Sequence, residues 1–181
     1  SNHDTNRIAS ETSGDPQRER LAAAAALLLP GTPFIYYGEE IGMRGNKGPG
    51  PIYDEYRREP MDWRAAETGL GVTTWFKLAN RNNKPDDGIS VEEQDADPGS
   101  LLNFYRKLVK LRAKTPALRG NDFQVLEKDE LGPCGEACFG LWRWSGSDVV
   151  LEVFNFSLQA QTASVDLAAA PVPLAGAPTT L

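Results

Sequence analysis

The pattern of apolar and polar positions predicts a first helix over residues 17–29. This segment contains five consecutive alanines, which have high helix propensity and side chains small enough to let a helix lie close to a sheet. Asp15 is a suitable N-cap, and Pro16 fits the first helical position. Residues 32–37 are a continuous apolar, β-favouring run, which predicts a strand buried on both faces. A helix followed by such a strand is half of a βα repeat, so the fold class is α/β.

A second helix is predicted over residues 100–114, where apolar side chains recur at spacings of three and four. Ser100 is its N-cap candidate, and the helix ends at Thr115 because the residue before a proline avoids helical geometry. The expected stripe consists of Leu101, Leu102, Tyr105, Leu108, Val109, Leu111 and Arg112.

Between the strand and this helix, residues 44–99 show no regular period and are dense in Pro, Gly, Asp and Asn. A loop of this length is unusual in a compact domain, where long loops are commonly functional or disordered. Disordered linkers rarely carry many aromatic residues, so we expect an ordered loop that packs on the fold or borders a cleft. Its large apolar residues include Tyr53, Tyr56, Met61, Trp63, Trp75 and Phe76.

Beyond Gly120 the pattern changes to short β-like runs separated by turn residues. The runs cover residues 123–126, 138–144, 148–156 and 161–167. They predict an antiparallel β unit and a domain boundary near residue 120. Trp142 and Trp144 would share one face of a strand, either as a sugar-binding platform or as part of the core, and we favour the core.

Composition excludes several classes of function. Of the 181 residues, 40% are hydrophobic and 9% aromatic, which is enough for a folded core. The net charge of -6 argues against nucleic acid as the main partner, because a phosphate backbone attracts clustered Lys and Arg. No apolar run approaches the roughly 18 residues of a membrane span, so no membrane partner is expected. No signal peptide is visible, and the compartment stays open between cytoplasmic and secreted because N-terminal residues can be missing.

The cysteines and acidic turns give little support for a metal site. Cys134 and Cys138 lie four positions apart, which is compatible with a local disulfide or with two reduced thiols. A metal would need two more ligands nearby, and the lone histidine, His3, is far away in the sequence. Asp86 and Asp87 resemble part of a calcium loop, but the remaining ligands are absent and a solvated turn is favoured. We expect no metal or cofactor in this stretch.

The first seven residues place a histidine beside a carboxylate, with an arginine three residues further on. Alone, such a terminal cluster is most often a solvated tail.

Three further motifs follow this cluster in order along the chain. The four segments are Ser1-Asn2-His3-Asp4-Thr5-Asn6-Arg7, then Gly31-Thr32-Pro33-Phe34-Ile35-Tyr36-Tyr37-Gly38-Glu39-Glu40-Ile41-Gly42-Met43, then Arg58-Glu59-Pro60-Met61-Asp62-Trp63, and Tyr105-Arg106 with Leu111-Arg112 ahead of Pro116-Ala117-Leu118. Their order and spacing resemble the α-amylase family (glycoside hydrolase family 13). The first is similar to its Asn-His-Asp motif after barrel strand seven, the second to strand eight, the third to a segment of its α-glucosidase and oligosaccharide-active branch, and the fourth to the last barrel helix.

The resemblance implies a fold of which this chain holds only one part. That fold is a (β/α)8 TIM barrel followed by a C-terminal antiparallel β-sandwich. Residues 1–119 would run from the end of strand seven through helix eight, with a long loop between strand eight and helix eight at about residues 43–99. Residues 120–181 would form the all-β domain, whole or in part. A Ca²⁺ site would be confined to the missing N-terminal portion. An open piece of a barrel exposes apolar faces, so the missing portion or self-association is expected to cover them.

The resemblance also implies a chemistry. Retaining glycosidases use two carboxyl groups about 5 Å apart as nucleophile and acid/base, and in this family they come from strands four and five, outside this sequence. Asp4 would be the third carboxylate, which binds sugar hydroxyls and stabilises the oxocarbenium-like transition state. His3 would hydrogen-bond the same sugar, and Arg7 would bind near the site or brace the carboxylates. Trp63 would either stack on a sugar or pack within the loop.

Three classes of function remain to be compared. The first is the C-terminal portion of a retaining hydrolase acting on α-glucosidic bonds of starch-derived oligosaccharides, inactive alone, with an α-glucan or maltooligosaccharide as substrate. The second is a non-catalytic carbohydrate-binding or structural module. The third is an amylase-like scaffold in a transport or regulatory protein, which need not keep the His3-Asp4 pair. Glu39 and Glu40 are not taken as a catalytic pair, since neighbouring strand residues point to opposite sides.

Overall fold

The computed structural model describes residues 1–49, 54–77 and 80–180, so Tyr53 of the long loop lies outside the described residues. The chain divides into two compact units. The first contains Ser1–Ala24 and Phe34–Lys107, and the second contains Ala25–Pro33 and Leu108–Leu181. In the described ranges, no helix has the length and apolar character needed to cross a membrane. The division at residue 120 concerns the domains of the complete fold and stays a prediction.

Four α-helices occur in the described ranges: α1 (Ile8–Glu11), α2 (Pro16–Leu28), α3 (Val91–Asp95) and α4 (Leu101–Lys114). The two long ones confirm both predicted helices to within about one residue. At the start of α2, Asp15 Oδ1 accepts the N–H groups of Gln17 and Arg18 at 2.9 and 3.1 Å. The bond from Arg18 contributes most to the lowering of the Asp15 pKa below its ordinary value. Both bonds are those of a helix N-cap.

The buried stripe of α4 is narrower than predicted. Ser100 caps the helix by accepting the Asn103 N–H on its Oγ at 3.2 Å. Leu102, Tyr105 and Leu108 are only 6 to 7% exposed, whereas Val109 is 46% exposed. With 3.6 residues per turn, Val109 is rotated by about 100° from Leu108, to the flank of the stripe. Its predicted burial is therefore wrong for this chain.

The strand predicted over residues 32–37 does not form. These residues belong to no sheet, and Phe34, Ile35 and Tyr37 are 82%, 44% and 39% exposed. The run has β-favouring side chains, but a parallel strand exists only beside another strand that shares its hydrogen bonds. No other described segment pairs with it. Residues 32–37 thus have the side chains typical of a buried strand, but the described chain has no neighbouring strand that would pair with them and bury them.

After this segment, a 3₁₀ turn (Glu39–Ile41) leads into the long loop, and Ile41 and Met43 form a small core with Leu102 of α4. Three loop side chains pack against that core: Met61, Ile89 and Val91. A second 3₁₀ turn covers Glu55–Arg57. The described parts of the loop are therefore ordered by packing, as predicted from their apolar content.

The second unit contains an antiparallel meander of β1 (Asp122–Val125), β2 (Cys138–Ser145) and β3 (Asp148–Asn155), in the order β1-β2-β3. These strands confirm three of the four predicted runs. The fourth, residues 161–167, is not a strand: Ser164 donates its N–H to the Leu131 carbonyl at 3.1 Å, but no ladder follows. The described residues form one three-stranded sheet, and the sandwich stays a prediction.

The second unit also contains 3₁₀ segments at Pro116–Leu118, Lys128–Ala137 and Leu167–Ala169, which lie before β1, between β1 and β2, and after β3. The middle one bends at two glycines and ends in a disulfide between Cys134 and Cys138, whose Cα atoms lie 5.6 Å apart. The structure thus adopts the disulfide, one of the two alternatives left by the spacing of the cysteines.

The core of the sheet confirms the preferred interpretation of the tryptophans on β2. Trp142 is 2% exposed and packs with Leu126 and Leu131, and the half-buried Trp144 packs against the same cluster. Neither indole face is free as a broad platform. A separate core contains Ala117, Leu118 and Val150, with Leu28 and Leu111 against it.

Candidate functional site: an exposed histidine and aspartate held by two arginines

The opening motif is shaped by Asn2. Its Oδ1 accepts the N–H groups of Asp4 and Thr5 at 2.8 and 3.1 Å, and its own N–H is donated to Thr5 Oγ1 at 3.0 Å. This local turn, which asparagine forms readily, directs His3 and Asp4 outward. Their side chains are 64% and 66% exposed, and His3 Nε2 lies 3.1 Å from Asp4 Oδ2. The two predicted site residues are therefore adjacent and accessible.

Arg58 binds the opposite side of the same carboxylate. Its Nη2 lies 3.1 Å from Asp4 Oδ1 and 2.9 Å from Asp54 Oδ2, and its Nε donates to the His3 carbonyl at 3.1 Å. Such charge-assisted bonds are stronger and more directional than neutral ones. One oxygen of Asp4 thus faces Arg58 and the other faces His3.

Arg57 supports the backbone of the motif. It donates to the Asp4 carbonyl and pairs with Asp54, and its hydrogen bond is the main reason that the Asp54 pKa lies below its ordinary value. The sequence motif beginning at Arg58 did not predict that Arg57 and Arg58 contact Asp4, or that both arginines also bind Asp54. The available signal was the pair of adjacent arginines three and four residues after Asp54, at the start of the Arg-x-Pro-Met-x-Trp resemblance.

Arg7 lies behind these residues and is fully buried. Its Nη1 donates to the Tyr37 carbonyl at 2.6 Å and its Nε to the Arg57 carbonyl at 3.1 Å. The guanidinium also lies over the Tyr36 and Tyr37 rings, 4.6 and 4.7 Å from their centroids. Its bonds in the described chain therefore go to backbone carbonyls, and a contact with sugar or carboxylate stays a prediction.

Trp63 is 52% exposed and lines a cleft of about 550 Å³. Its neighbours there include Arg64, Leu70, Val91, Glu92 and Asp95. The cleft lining contains none of the residues of the opening motif. The structure thus brings together His3, Asp4 and Arg58, with Arg7 behind them, and places Trp63 in a cleft of its own.

A buried charged cluster, which the sequence patterns did not predict, lies next to Trp63 in the chain. Asp62 is 2% exposed, and Arg81 Nη1 lies 3.7 Å from its Oδ1 and 2.8 Å from Glu67 Oε2. Burial, reinforced by the Glu67 charge and opposed by Arg81, raises the Asp62 pKa to about 7. Burial also raises the pKa of Glu67.

Two of the other acidic candidates, Glu39 and Asp87, have structural partners. Glu39 is 5% exposed, and its Oε2 accepts the Tyr36 N–H at 3.2 Å, so it braces the turn in which it lies. Asp87 accepts the N–H groups of Lys84 and Ile89 at 2.7 and 2.9 Å, as in an ordinary turn. Within the described ranges, no three His, Cys, Asp or Glu side chains are grouped as metal ligands.

Comparison with known proteins identifies the family to which this site belongs. The family model for the α-amylase catalytic domain ("Alpha amylase, catalytic domain") matches residues 1–121. The chain belongs to the α-amylase family. The predicted resemblance, made from four short motifs, is confirmed.

Relatives of two kinds are found within this family. The chain is 38% identical to Alpha-amylase 3 of Dictyoglomus thermophilum over 71% of its own length and 24% of that protein. It is 29% identical to the probable oligo-1,6-glucosidase 2 of Bacillus subtilis over 86% of its length and 33% of that protein. The chain therefore spans between a quarter and a third of the length of these α-amylase family relatives.

The structural comparison agrees. The crystal structure of the α-amylase from H. orenii matches with a TM-score of 0.71 and 36% identity, covering 86% of this chain and 29% of that one. The structural neighbours are TIM-barrel enzymes of the α-amylase family, and this chain corresponds to part of that fold.

Proposed function

We propose that this chain is the C-terminal portion of a retaining hydrolase that acts on α-glucosidic bonds of starch-derived oligosaccharides. The observation that carries the proposal is the placement of Asp4 between Arg58 and His3, at 3.1 Å from each, on an exposed surface. Membership of the α-amylase family and the names of the relatives support the choice of reaction and substrate class.

In this proposal Asp4 is the third carboxylate, which stabilises the transition state. A retaining glycosidase develops positive charge on the sugar ring, and a fixed carboxylate beside the ring stabilises that charge. Arg58 fixes one oxygen of Asp4, and lone pairs on the other remain for sugar hydroxyls. His3 offers a ring nitrogen to the same hydroxyls. Arg7 is a positioning residue that supports the backbone around the motif through its bonds to Tyr37 and Arg57.

The nucleophile and the general acid would be supplied by residues outside this chain, on barrel strands four and five. The chain alone would then be inactive. The missing barrel portion would cover Phe34 and Ile35, which are exposed here. The sheet of β1, β2 and β3 would belong to a C-terminal β-sandwich that starts near residue 120.

A non-catalytic carbohydrate-binding module is the second candidate. Its main sequence support was the pair Trp142 and Trp144, and the burial of Trp142 to 2% exposure disfavours a sugar platform there. A purely structural module does not explain why His3 and Asp4 are exposed and fixed by polar contacts.

The test is to assay hydrolysis of a chromogenic α-glucoside and of maltooligosaccharides by three preparations. These are the bare 181 residues, the full-length protein and the full-length protein with Asp4→Asn. We expect activity only in the unmodified full-length protein, and a loss of about 10² to 10³-fold in kcat for the variant, the range for removing one transition-state contact. Activity of the bare chain, or an unchanged kcat in the variant, would overturn the assignment of Asp4.

A further inference from the structure

We propose that the cleft beside Trp63 is an auxiliary binding site for a neutral α-glucan chain, separate from the Asp4 site. The choice of ligand rests on the proposed function, but the cleft itself is argued from its own chemistry. It is called the Trp63 cleft below and is lined by Trp63, Arg64, Leu70, Val91, Glu92 and Asp95, among others.

The lining combines an aromatic face with hydrogen-bonding groups at its edge. Trp63 is 52% exposed, so a large part of its indole is accessible to a ligand. Arg64 Nη1 and Glu92 Oε1 lie 3.3 Å apart, and both side chains are 49% exposed. A sugar ring has apolar C–H faces and a rim of hydroxyls, which need an apolar surface and a few placed polar groups, as small-molecule sites provide.

Charge also favours a neutral ligand. Arg64 is accompanied by the two carboxylates Glu92 and Asp95, so the rim carries one positive and two negative groups. An anionic ligand would be repelled. An apolar protein segment would remove the Arg64–Glu92 pair from water, and that desolvation is costly. Hydroxyl groups can instead hydrogen-bond to both partners without displacing either charge.

The two walls of the cleft are fixed to one another. Val91 and Glu92 donate their N–H groups to the carbonyls of Asp62 and Trp63 at 2.9 and 3.2 Å, and Ala65 N–H is donated to Glu92 Oε2 at 3.1 Å. A ligand therefore meets a surface that is already formed, and it does not have to order a mobile segment on binding.

Arg81 stabilises the wall that carries Leu70. Its Nη1 lies 2.8 Å from Glu67 Oε2, and its Nη2 donates to the Thr73 carbonyl at 3.0 Å. These contacts span the turn on either side of Leu70. The buried Arg81 is thus the internal support of an exposed apolar wall.

The cleft is within reach of a chain bound at Asp4. Arg58 and Trp63 are five positions apart in the chain, so their Cα atoms are at most about 18 Å apart, the span of five extended residues. Arg58 contacts Asp4 directly, at 3.1 Å. An oligosaccharide of several units can therefore occupy both places, while a single α-glucoside occupies only the Asp4 site.

The experiment is isothermal titration calorimetry of the 181-residue chain with maltoheptaose, on the unmodified chain and four variants. The variants are Trp63→Ala, Trp63→Phe, Trp75→Ala and Asp4→Asn. Trp75 is the matched control, because it is a 71% exposed tryptophan of the same loop that does not line the cleft. Circular dichroism spectra and thermal transitions that match the unmodified chain confirm that each variant is folded.

We expect saturable binding that weakens about tenfold or more in Trp63→Ala, since losing an aromatic contact of about 1.4 kcal/mol changes Kd tenfold. Trp63→Phe should recover most of the affinity, and Trp75→Ala should retain it. Asp4→Asn should weaken binding, because the same oligosaccharide also reaches Asp4, but saturable binding to the cleft should remain. Two results would overturn the proposal that the cleft binds a glucan. One is undetectable binding by the unmodified chain at millimolar maltoheptaose, and the other is an affinity in Trp63→Ala equal to that of the unmodified chain. Complete loss of binding in Asp4→Asn would show that the cleft is not a separate site.

The full-length protein distinguishes this proposal from the proposed function. Trp63→Ala should raise KM for maltoheptaose while kcat/KM for a short chromogenic α-glucoside is unchanged. If no preparation hydrolyses either substrate but the calorimetric pattern holds, the proposed function is wrong and the cleft remains supported. If hydrolysis depends on Asp4 but Trp63→Ala alters neither binding nor KM, the cleft proposal is wrong and the proposed function remains supported.

Discussion

Arg58 Nη2 lies 3.1 Å from Asp4 Oδ1, although the two residues are 54 positions apart in the chain. The long loop therefore returns to the opening motif and supplies a cation to its carboxylate. The same guanidinium also contacts Asp54 and the His3 carbonyl, so it holds both the carboxylate and the backbone of the exposed site.

Replacing Arg58 is expected to impair catalysis without unfolding the protein. Arg58→Ala in the full-length protein should lower kcat by about tenfold or more, because Asp4 loses the partner that orients it. The side chain is 42% exposed, so the thermal transition should change little. The measurement is steady-state hydrolysis of a chromogenic α-glucoside.

Arg64→Ala is the matched control for Arg58→Ala. It removes an arginine of similar exposure from the same loop, one that pairs with Glu92 instead of Asp4. On the short α-glucoside its kcat should stay near that of the unmodified protein. Equal losses in the two variants would show that Arg58 has no special relation to Asp4.

Asp62 should make stability depend on pH. Its pKa rises from an ordinary value of 3.8 to about 7 because of burial, so the folded state binds a proton that the unfolded state releases between these values. Stability from this group is therefore greatest at low pH and is lost as pH rises toward 7. Asp62→Asn should remove that loss, and its advantage over the unmodified chain should grow by about 2 kcal/mol between pH 5 and pH 8.

Urea unfolding at the two pH values measures this difference. Asp129→Asn, at an exposed position, controls for removal of one negative charge. A difference between Asp62→Asn and the unmodified chain that is the same at pH 5 and pH 8 would contradict the prediction. The groups that set the Asp62 pKa are Glu67, Arg81, Glu59 and Asp87, and all remain in the variant.

The buried pair Arg143 and Glu152 should respond unequally to substitution. Arg143 is fully buried, donates to the carbonyls of Leu28 and Gly120, and has its Nη1 3.7 Å from Glu152 Oε1. Arg143→Met leaves a buried carboxylate and two carbonyls without this partner, so we expect a loss of about 3 kcal/mol or more.

Glu152→Gln should cost much less, about 1 kcal/mol or below, because Arg143 keeps its carbonyl acceptors. Burial raises the Glu152 pKa to about 7, so near neutrality part of the population is already protonated and resembles glutamine. Urea midpoints at pH 7 compare the two variants. A larger loss in Glu152→Gln than in Arg143→Met would refute the proposed role of the carbonyl contacts.

The exposed apolar segment before Glu39 should make the isolated chain self-associate. Phe34 and Ile35 are 82% and 44% exposed, and adjacent apolar side chains of this size favour association. Phe34→Ser with Ile35→Thr should lower the average mass measured by light scattering toward that of a single chain. Leu158→Ser, at a 78% exposed leucine of the other unit, is the control and should have a smaller effect. A monodisperse monomer before any substitution would contradict the prediction.

Local sequence was enough to predict the helices, because the interactions that stabilise them lie within a few residues. The Asp15 cap, the alanines of α2 and the spacing in α4 each act within a few residues, so both helices were predictable. The alternation in β2 placed Trp142 and Trp144 on one face, and the core was the preferred of two interpretations of that face. The segment 32–37 and the run 161–167 show the limit, because strand formation depends on hydrogen-bonding partners elsewhere, which these two segments lack in this chain.

The sequence by itself determined the family, the helices and the candidate site residues His3 and Asp4, since motifs and caps are read from residues close together in the chain. The tertiary structure decided which charges meet: Arg58 with Asp4, Arg81 with Asp62 and Glu67, and Arg143 with Glu152. These pairs are between 9 and 54 positions apart. Their pairing and their burial follow from the path of the folded loops and strands, and burial is what raises the pKa of Asp62 and Glu152.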